Sequence, residues 1–263
     1  MTQDNEARME FARDLAKRAG ELGMEYFRRL DTLTIESKGH QDMVSEADRD
    51  VETFIRAALA REYPDDAIVG EEHAPKPGTS GYSWVIDPID GTANFVRGIP
   101  AWCVVIAGFR DGVTDVGVIH EPSVGESFYG RRGGGAFLNG KPIKASKAMS
   151  LTEGSLGTGF SNRAEARNVV GLIAELIDQG GVYYRNASGA LMLAYVAAGR
   201  LLGYIEQHMN AWDCLAGMLL IEEAGGKVAP HPADVLTKGT PVIVAGKGLY
   251  DKVEALADGA FKP

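Results

Sequence analysis

The chain has 263 residues, 27 Lys and Arg against 36 Asp and Glu, and a formal net charge of −9. With 45% hydrophobic and 24% charged residues, it reads as an ordinary globular chain of one to two domains that can bury a core without disulfides or structural zinc. No apolar run approaches the roughly 18–20 residues that span a bilayer, and the polar, acidic start MTQDNEARME predicts no secretory signal.

In chain order, apolar residues at helical spacing (Leu15, Ala19, Leu22, Tyr26) predict a helix over about Glu6 to Leu30. A second helix is predicted from Ser45 to Glu62, with Ser45 and Asp48 as a capping pattern and Val51, Ile55 and Leu59 as its stripe. Pro64 ends it, and a short strand, Ala67–Val69, leads into Gly70-Glu71-Glu72. Further strands are predicted at Ser83–Ile86, Cys103–Phe109, Val113–His120, Ser127–Gly130 and Ala136–Leu138, with Arg110-Asp111-Gly112 as a hairpin turn. From about residue 150 the pattern alternates. Strands at Ser155–Thr158, Val182–Tyr184, Leu202–Glu206 and Val242–Ala245 are interleaved with helices at Arg163–Asp178, Ser188–Ala198, Trp212–Ala224 and Lys247–Leu256. The expectation is an N-terminal α+β half, residues 1–147, with two helices and an antiparallel sheet, and a C-terminal α/β half, residues 148–263, packed as one catalytic unit.

The segment richest in chemistry is Trp84-Val85-Ile86-Asp87-Pro88-Ile89-Asp90-Gly91-Thr92-Ala93-Asn94-Phe95. An apolar strand runs into a carboxylate, Pro88 breaks the ladder, and the turn can bring Asp87 and Asp90 to one side. Asp90-Gly91-Thr92 reads as an N-cap and helix start whose free N–H groups suit an anion. A lone D-x-x-D is more often a solvated turn. Two further acidic stretches alter that reading: Gly70-Glu71-Glu72 after its strand, and Trp212-Asp213 at the start of an apolar helix that closes with Glu223-Ala224-Gly225-Gly226.

Together these motifs, with Asp42-Met43-Val44-Ser45-Glu46-Ala47-Asp48 upstream, resemble the inositol monophosphatase family of magnesium-dependent, lithium-sensitive phosphatases, from about Ala7 to Val253. The resemblance implies a layered α-β-α-β-α sandwich and a homodimer. It implies that Glu71, Asp87 and the Ile89 carbonyl hold one Mg²⁺, that Asp87, Asp90 and Asp213 hold a second, and that a third, weaker ion leans on Glu71. Thr92, helped by Asp48, would orient the attacking water, and the amides of Gly91 and Thr92 would hold phosphate oxygens. Glu206 would bind substrate hydroxyls. Ala187, Ser188 and Gly189 stand where the family often has G-[ST]-A, so Ala187 and Gly189 depart from it, and Asn210 replaces a His often found before the Trp-Asp pair.

Elementary electrostatics agrees. Two unit charges about 4 Å apart repel by roughly 4 kcal/mol at an effective dielectric of 20, so converging carboxylates must protonate, splay or hold cations. An all-oxygen ligand set favours Mg²⁺ over zinc. The ions would supply the positive field that a chain of net charge −9 otherwise lacks for an anionic substrate. The expected activity is hydrolysis of a small polyol or sugar phosphate by a metal-activated water, with inositol 1-phosphate the leading substrate. Histidinol phosphate, fructose 1,6-bisphosphate and adenosine 3′,5′-bisphosphate are alternatives. An aspartyl nucleophile is disfavoured by the proline-containing spacing, and a non-enzymatic interaction role on the same fold is the alternative of another class. Cys103 and Cys214 sit in apolar runs and read as core thiols of a cytoplasmic protein. Without a Lys/Arg stripe, no dedicated nucleic-acid binding is expected. The five histidines, His40, His73, His120, His208 and His231, read as loop or surface residues, and Lys38, in the Ser37-Lys38-Gly39-His40 loop, reads equally as a residue acting near substrate or metal and as a solvated lysine.

Overall fold

The structure, a computed structural model, describes residues 2–39 and 42–261. The elements run α1 (Thr2–Phe27), β1 (Ile35–Gly39), β2 (Asp42–Ser45), α2 (Glu46–Glu62), β3 (Ala67–Gly70), β4 (Tyr82–Asp90), α3 (Thr92–Phe95), β5 (Cys103–Arg110), β6 (Val113–Glu121), β7 (Glu126–Arg131), β8 (Gly135–Leu138) and β9 (Lys141–Pro142). After these come β10 (Ser155–Thr158), α4 (Ala166–Asp178), β11 (Val182–Tyr184), α5 (Gly189–Ala197), β12 (Gly203–Met209), α6 (Ala211–Glu223), β13 (Gly226–Val228), α7 (Val235–Lys238), β14 (Thr240–Gly246) and α8 (Tyr250–Phe261).

Strands β3 to β9 form a seven-stranded sheet in sequence order, and the order β11-β10-β12-β14-β13 forms a five-stranded one. Strand alternation divides the apolar side chains of the larger sheet between two cores. Trp84, Ile86, Val104 and Ile106 face α1 and α2, while Val85, Cys103, Val105 and Ala107 face α5 and α6. Helix α5 and the stretch of α6 between Asp213 and Glu222 are apolar and buried nearly all round, as a middle layer demands. Their far side meets Tyr204, Val242 and Val244 of the smaller sheet. Leu172 and Leu176 of α4 and Val253, Leu256 and Ala257 of α8 cover its outer face. The result is the expected α-β-α-β-α sandwich.

Several local expectations are corrected. Strand β4 does not stop at Ile86. It continues to Asp90, because Asp87 pairs with Val105 and Asp90 with Cys103, leaving Pro88 and Ile89 opposite Val104 alone. That bulge absorbs the missing proline N–H. The cap of α3 is Gly91, not Asp90, and the cap of α6 is Asn210. The sheet of the first half is mixed, since β3 and β4 run parallel. Helix α4 begins at Ala166 rather than Arg163, and the segment expected as a loop around Lys38 pairs as β1 with β2. His40 lies outside the described residues, as does the side chain of Lys38. His120 is no surface residue: it is buried in β6, its Nδ1 2.8 Å from Ser127 Oγ. Cys103 and Cys214 are free and buried.

Candidate active site

The acidic residues converge for reasons readable in the sheet register. Gly70 of β3 lies opposite Ile86 of β4 in parallel pairing, so Glu71, the first residue past the end of β3, comes beside Asp87, which is still paired with Val105 in β4. Asp213 arrives from the first turn of α6, where it accepts a hydrogen bond from the Asn210 N–H (3.1 Å) and closes a capping box. Carboxylate oxygens of Glu71, Asp87 and Asp213 lie within 4.8 Å of one another. Asp87 is 1% exposed, and its Oδ1 accepts the Ile89 N–H at 2.9 Å.

Burial, then the charges of Glu71, Asp90 and Asp213, push the Asp87 carboxyl well above the usual carboxylate range. Burial, followed by the charge of Asp90, pushes Asp213 up to about 7. Such a cluster is strained as bare carboxylates and is relieved by a cation. Its all-oxygen donors match hard divalent ions of the Mg²⁺ type, so these residues fit the metal that the family resemblance implies.

Asp90 stands beside this trio with its Oδ2 committed elsewhere. It accepts from Ser188 Oγ at 2.5 Å and from the Ala190 N–H at 2.8 Å, so it serves the start of α5 across 98 residues of sequence instead of capping α3. Gly91, at φ 97°, holds the turn that follows, and a Cβ there would meet the Ala101 carbonyl oxygen at 2.9 Å. Thr92 Oγ1 lies 3.1 Å from both Asp48 Oδ1 and the Ile89 carbonyl oxygen. Asp48 accepts the Ser45 N–H (2.8 Å) and hydroxyl (2.6 Å) through Oδ2, and burial raises it to about 6.

Glu71, Asp90, Gly91, Thr92 and Asp213 line one cleft of about 1010 Å³, and Asp90, Asp213, Ala187, Gly189 and Glu206 line an adjoining recess of about 160 Å³. Ala187 adopts φ 63°, a left-handed conformation that glycine takes more readily than alanine. Glu206 is 8% exposed and bonded by the Tyr204 hydroxyl. Burial raises its pKa to about 7.

Sequence reasoning missed Arg163 and Arg185, which line both spaces. Arg163 eases the charge on Asp213, and Arg185 eases that on Glu206. They give this acidic chain part of the local positive field that an anionic ligand needs. Arg185 immediately precedes Asn186-Ala187-Ser188, a signal that was available. Arg163 was hidden by its assignment to a helix.

The model of the inositol monophosphatase family matches residues 4–257. A Pseudomonas aeruginosa protein named Nus factor SuhB is 40% identical over 240 residues, covering 88% of each chain. A Mesorhizobium japonicum inositol-1-monophosphatase is 37% identical over 254 residues, covering 94% of each. Among solved structures, the extragenic suppressor protein suhB of Bartonella henselae superposes with a TM-score of 0.90 at 31% identity, over 95% of this chain and 98% of that one. The Thermotoga maritima IMPase superposes with a TM-score of 0.86 at 30% identity, over 97% and 98%. The carboxylate cluster, the five-layer fold and these likenesses agree: the chain belongs to the inositol monophosphatase family.

Proposed function

We propose that the protein is a Mg²⁺-dependent phosphomonoesterase acting on a small polyol or sugar phosphate, with inositol 1-phosphate as its leading substrate. The observation that carries this reading is the convergence of Glu71, Asp87 and Asp213, of which Glu71 and Asp213 line the same cleft as Gly91 and Thr92. Glu71, Asp87, the Ile89 carbonyl, Asp90 and Asp213 are the groups that would hold two to three ions. Bound there, Mg²⁺ supplies positive charge that neutralises the phosphate, acidifies water and stabilises the leaving oxygen.

The chain's own residues do the rest. Thr92 Oγ1, fixed between Asp48 and the Ile89 carbonyl, orients the attacking water together with Glu71. The Asp48 carboxyl, raised to about 6, is suited to hold a proton near neutral pH. The Gly91 and Thr92 amides hold phosphate oxygens. Glu206 takes hydroxyl hydrogens of the polyol, with Ala187, Ser188 and Gly189 shaping the recess around it. Attack is in line, with no phosphoenzyme, and Li⁺ competes for one of the cation positions.

Phosphate release from inositol 1-phosphate, histidinol phosphate, fructose 1,6-bisphosphate and adenosine 3′,5′-bisphosphate, with and without Mg²⁺, tests the proposal and ranks the substrates. Asp90→Asn is expected to slow release by at least about a hundredfold, the order seen when a preorganised electrostatic group is removed. Relatives named Nus factor SuhB at up to 40% identity favour a second reading, an interaction role independent of catalysis. That reading takes first place if the Mg²⁺-loaded protein hydrolyses no phosphomonoester. We further propose that the chain forms a homodimer: β11 is an edge strand whose Val182, Tyr183 and Tyr184 are 60%, 50% and 38% exposed, an apolar edge that a partner copy would cover.

A further inference from the structure

We propose that Glu52 and Arg56, on one face of α2, are positioning residues that fix where the Glu71 carboxylate stands and so set the cation affinity of the acidic centre. The inference rests on the reading of Glu71 as a metal ligand.

Glu71 belongs to no strand or helix. On its N-terminal side Gly70 is paired in the sheet. On its C-terminal side the backbone is gripped by α2. Glu52 Oε2 accepts the Glu72 N–H at 2.7 Å, and Oε1 accepts the His73 N–H at 3.2 Å. Arg56 binds Glu52 Oε1 through Nε at 2.6 Å and donates from Nη2 to the His73 carbonyl at 3.1 Å. The pair therefore holds both donor and acceptor groups of the peptide chain that follows Glu71.

Glu52 is fully buried, at 0% exposure. A buried charge persists only when it is hydrogen-bonded and paired, and here both partners are the loop and Arg56. A Cβ on Gly70 would lie 2.4 Å from Glu52 Oε1, so the carboxylate is wedged against the residue preceding Glu71. Asp48, Glu52 and Arg56 recur at i, i+4, i+8 and share one face of the helix. A single ridge of α2 thus touches Thr92 through Asp48 and the Glu71 loop through Glu52. Groups that orient metal ligands from outside alter affinity by about 10- to 100-fold when lost.

The test is calorimetric titration of the full chain with Mg²⁺, without substrate, alongside the Mg²⁺ requirement of phosphate release. Glu52→Gln replaces one acceptor oxygen with an N–H₂ that faces an N–H. It is expected to weaken Mg²⁺ binding about tenfold or more, while kcat at saturating Mg²⁺ stays within about threefold because no reacting group is removed. Arg56→Gln is expected to weaken binding by a smaller factor, and Glu52→Asp to recover part of the loss. Glu223→Gln is the control. Glu223 also bridges loop amides, those of Gly133 and Gly135, both at 2.8 Å, but at the far end of α6 from Asp213. A folded Glu52→Gln whose Mg²⁺ affinity stays within about twofold of wild type, well under the outer-shell range, overturns the proposal, as does an equal loss in Glu223→Gln. If Glu52→Gln does not fold, Arg56→Gln decides by the same measure. Wild-type protein that binds Mg²⁺ but releases no phosphate would sink the enzymatic reading and leave this inference standing.

Discussion

His120 shows how one buried side chain ties stability to pH. Burial lowers its pKa from 6.5 to about 4. The folded state therefore binds fewer protons than the unfolded chain below pH 6.5. Its contribution is full above pH 6.5 and is lost as pH falls through about 4. The melting temperature of the wild type is expected to drop over that interval more steeply than that of His120→Gln, at about 2–4 °C per kcal/mol for a chain of this size. Parallel profiles for the two proteins would contradict the assignment. Ser188 is a second single-residue test. Its hydroxyl donates to Asp90 Oδ2, and a hydrogen bond to a charged group contributes about 1.5–3 kcal/mol. Ser188→Ala is expected to slow phosphate release by about tenfold, or about 1.4 kcal/mol of lost orientation of Asp90, a change that initial-rate assays resolve easily.

At the scale of elements, the site depends on ties between segments far apart in sequence. Asn94 Nδ2 donates to the carbonyls of Ala101 and Asn186, each at 2.7 Å, and thereby joins α3 to the segment that opens α5. Asn94→Ala leaves two carbonyls short of a donor. It is expected to cost about 1–3 kcal/mol, measured as a shift of the denaturant midpoint, since the slope should not change. Such ties mark the limit of what sequence shows. The bounds of α2 and α6 fall within a residue or two of expectation: α2 was legible through its apolar stripe and its Ser45–Asp48 cap, which act within one turn, and α6 through its apolar run closed by Gly225-Gly226. The acidic motif residues were legible through the family pattern. The partner of Asp90 was not, because local rules place a capping Asp beside its own helix and cannot foresee Ala190. Pro88 misled for a related reason: a bulge opposite Val104 lets a proline stay inside a strand, and that depends on the neighbouring strand. Glu52 carried no signal at all, since a Glu at that spacing reads as a solvated face.

For the whole molecule, two measurements bear on assembly and loading. If the exposed β11 edge is the contact between copies, Val182→Lys places a charge on it and is expected to shift sedimentation from dimer to monomer. No described helix is long and apolar enough to cross a membrane. Mg²⁺ is expected to raise the melting temperature, and more so at pH 8 than at pH 5.5, because cation and protons compete for the same buried carboxylates. Asp213 lies about 7, between those two conditions. The trio of carboxylates comes from two different layers, Glu71 and Asp87 from the rim of the seven-stranded sheet and Asp213 from the helix sandwiched between the sheets. An ion seated there is a rivet through neighbouring plies. Chelation would then do more than silence a reaction: it would loosen the seam, so that fraying under heat or urea should begin at this joint.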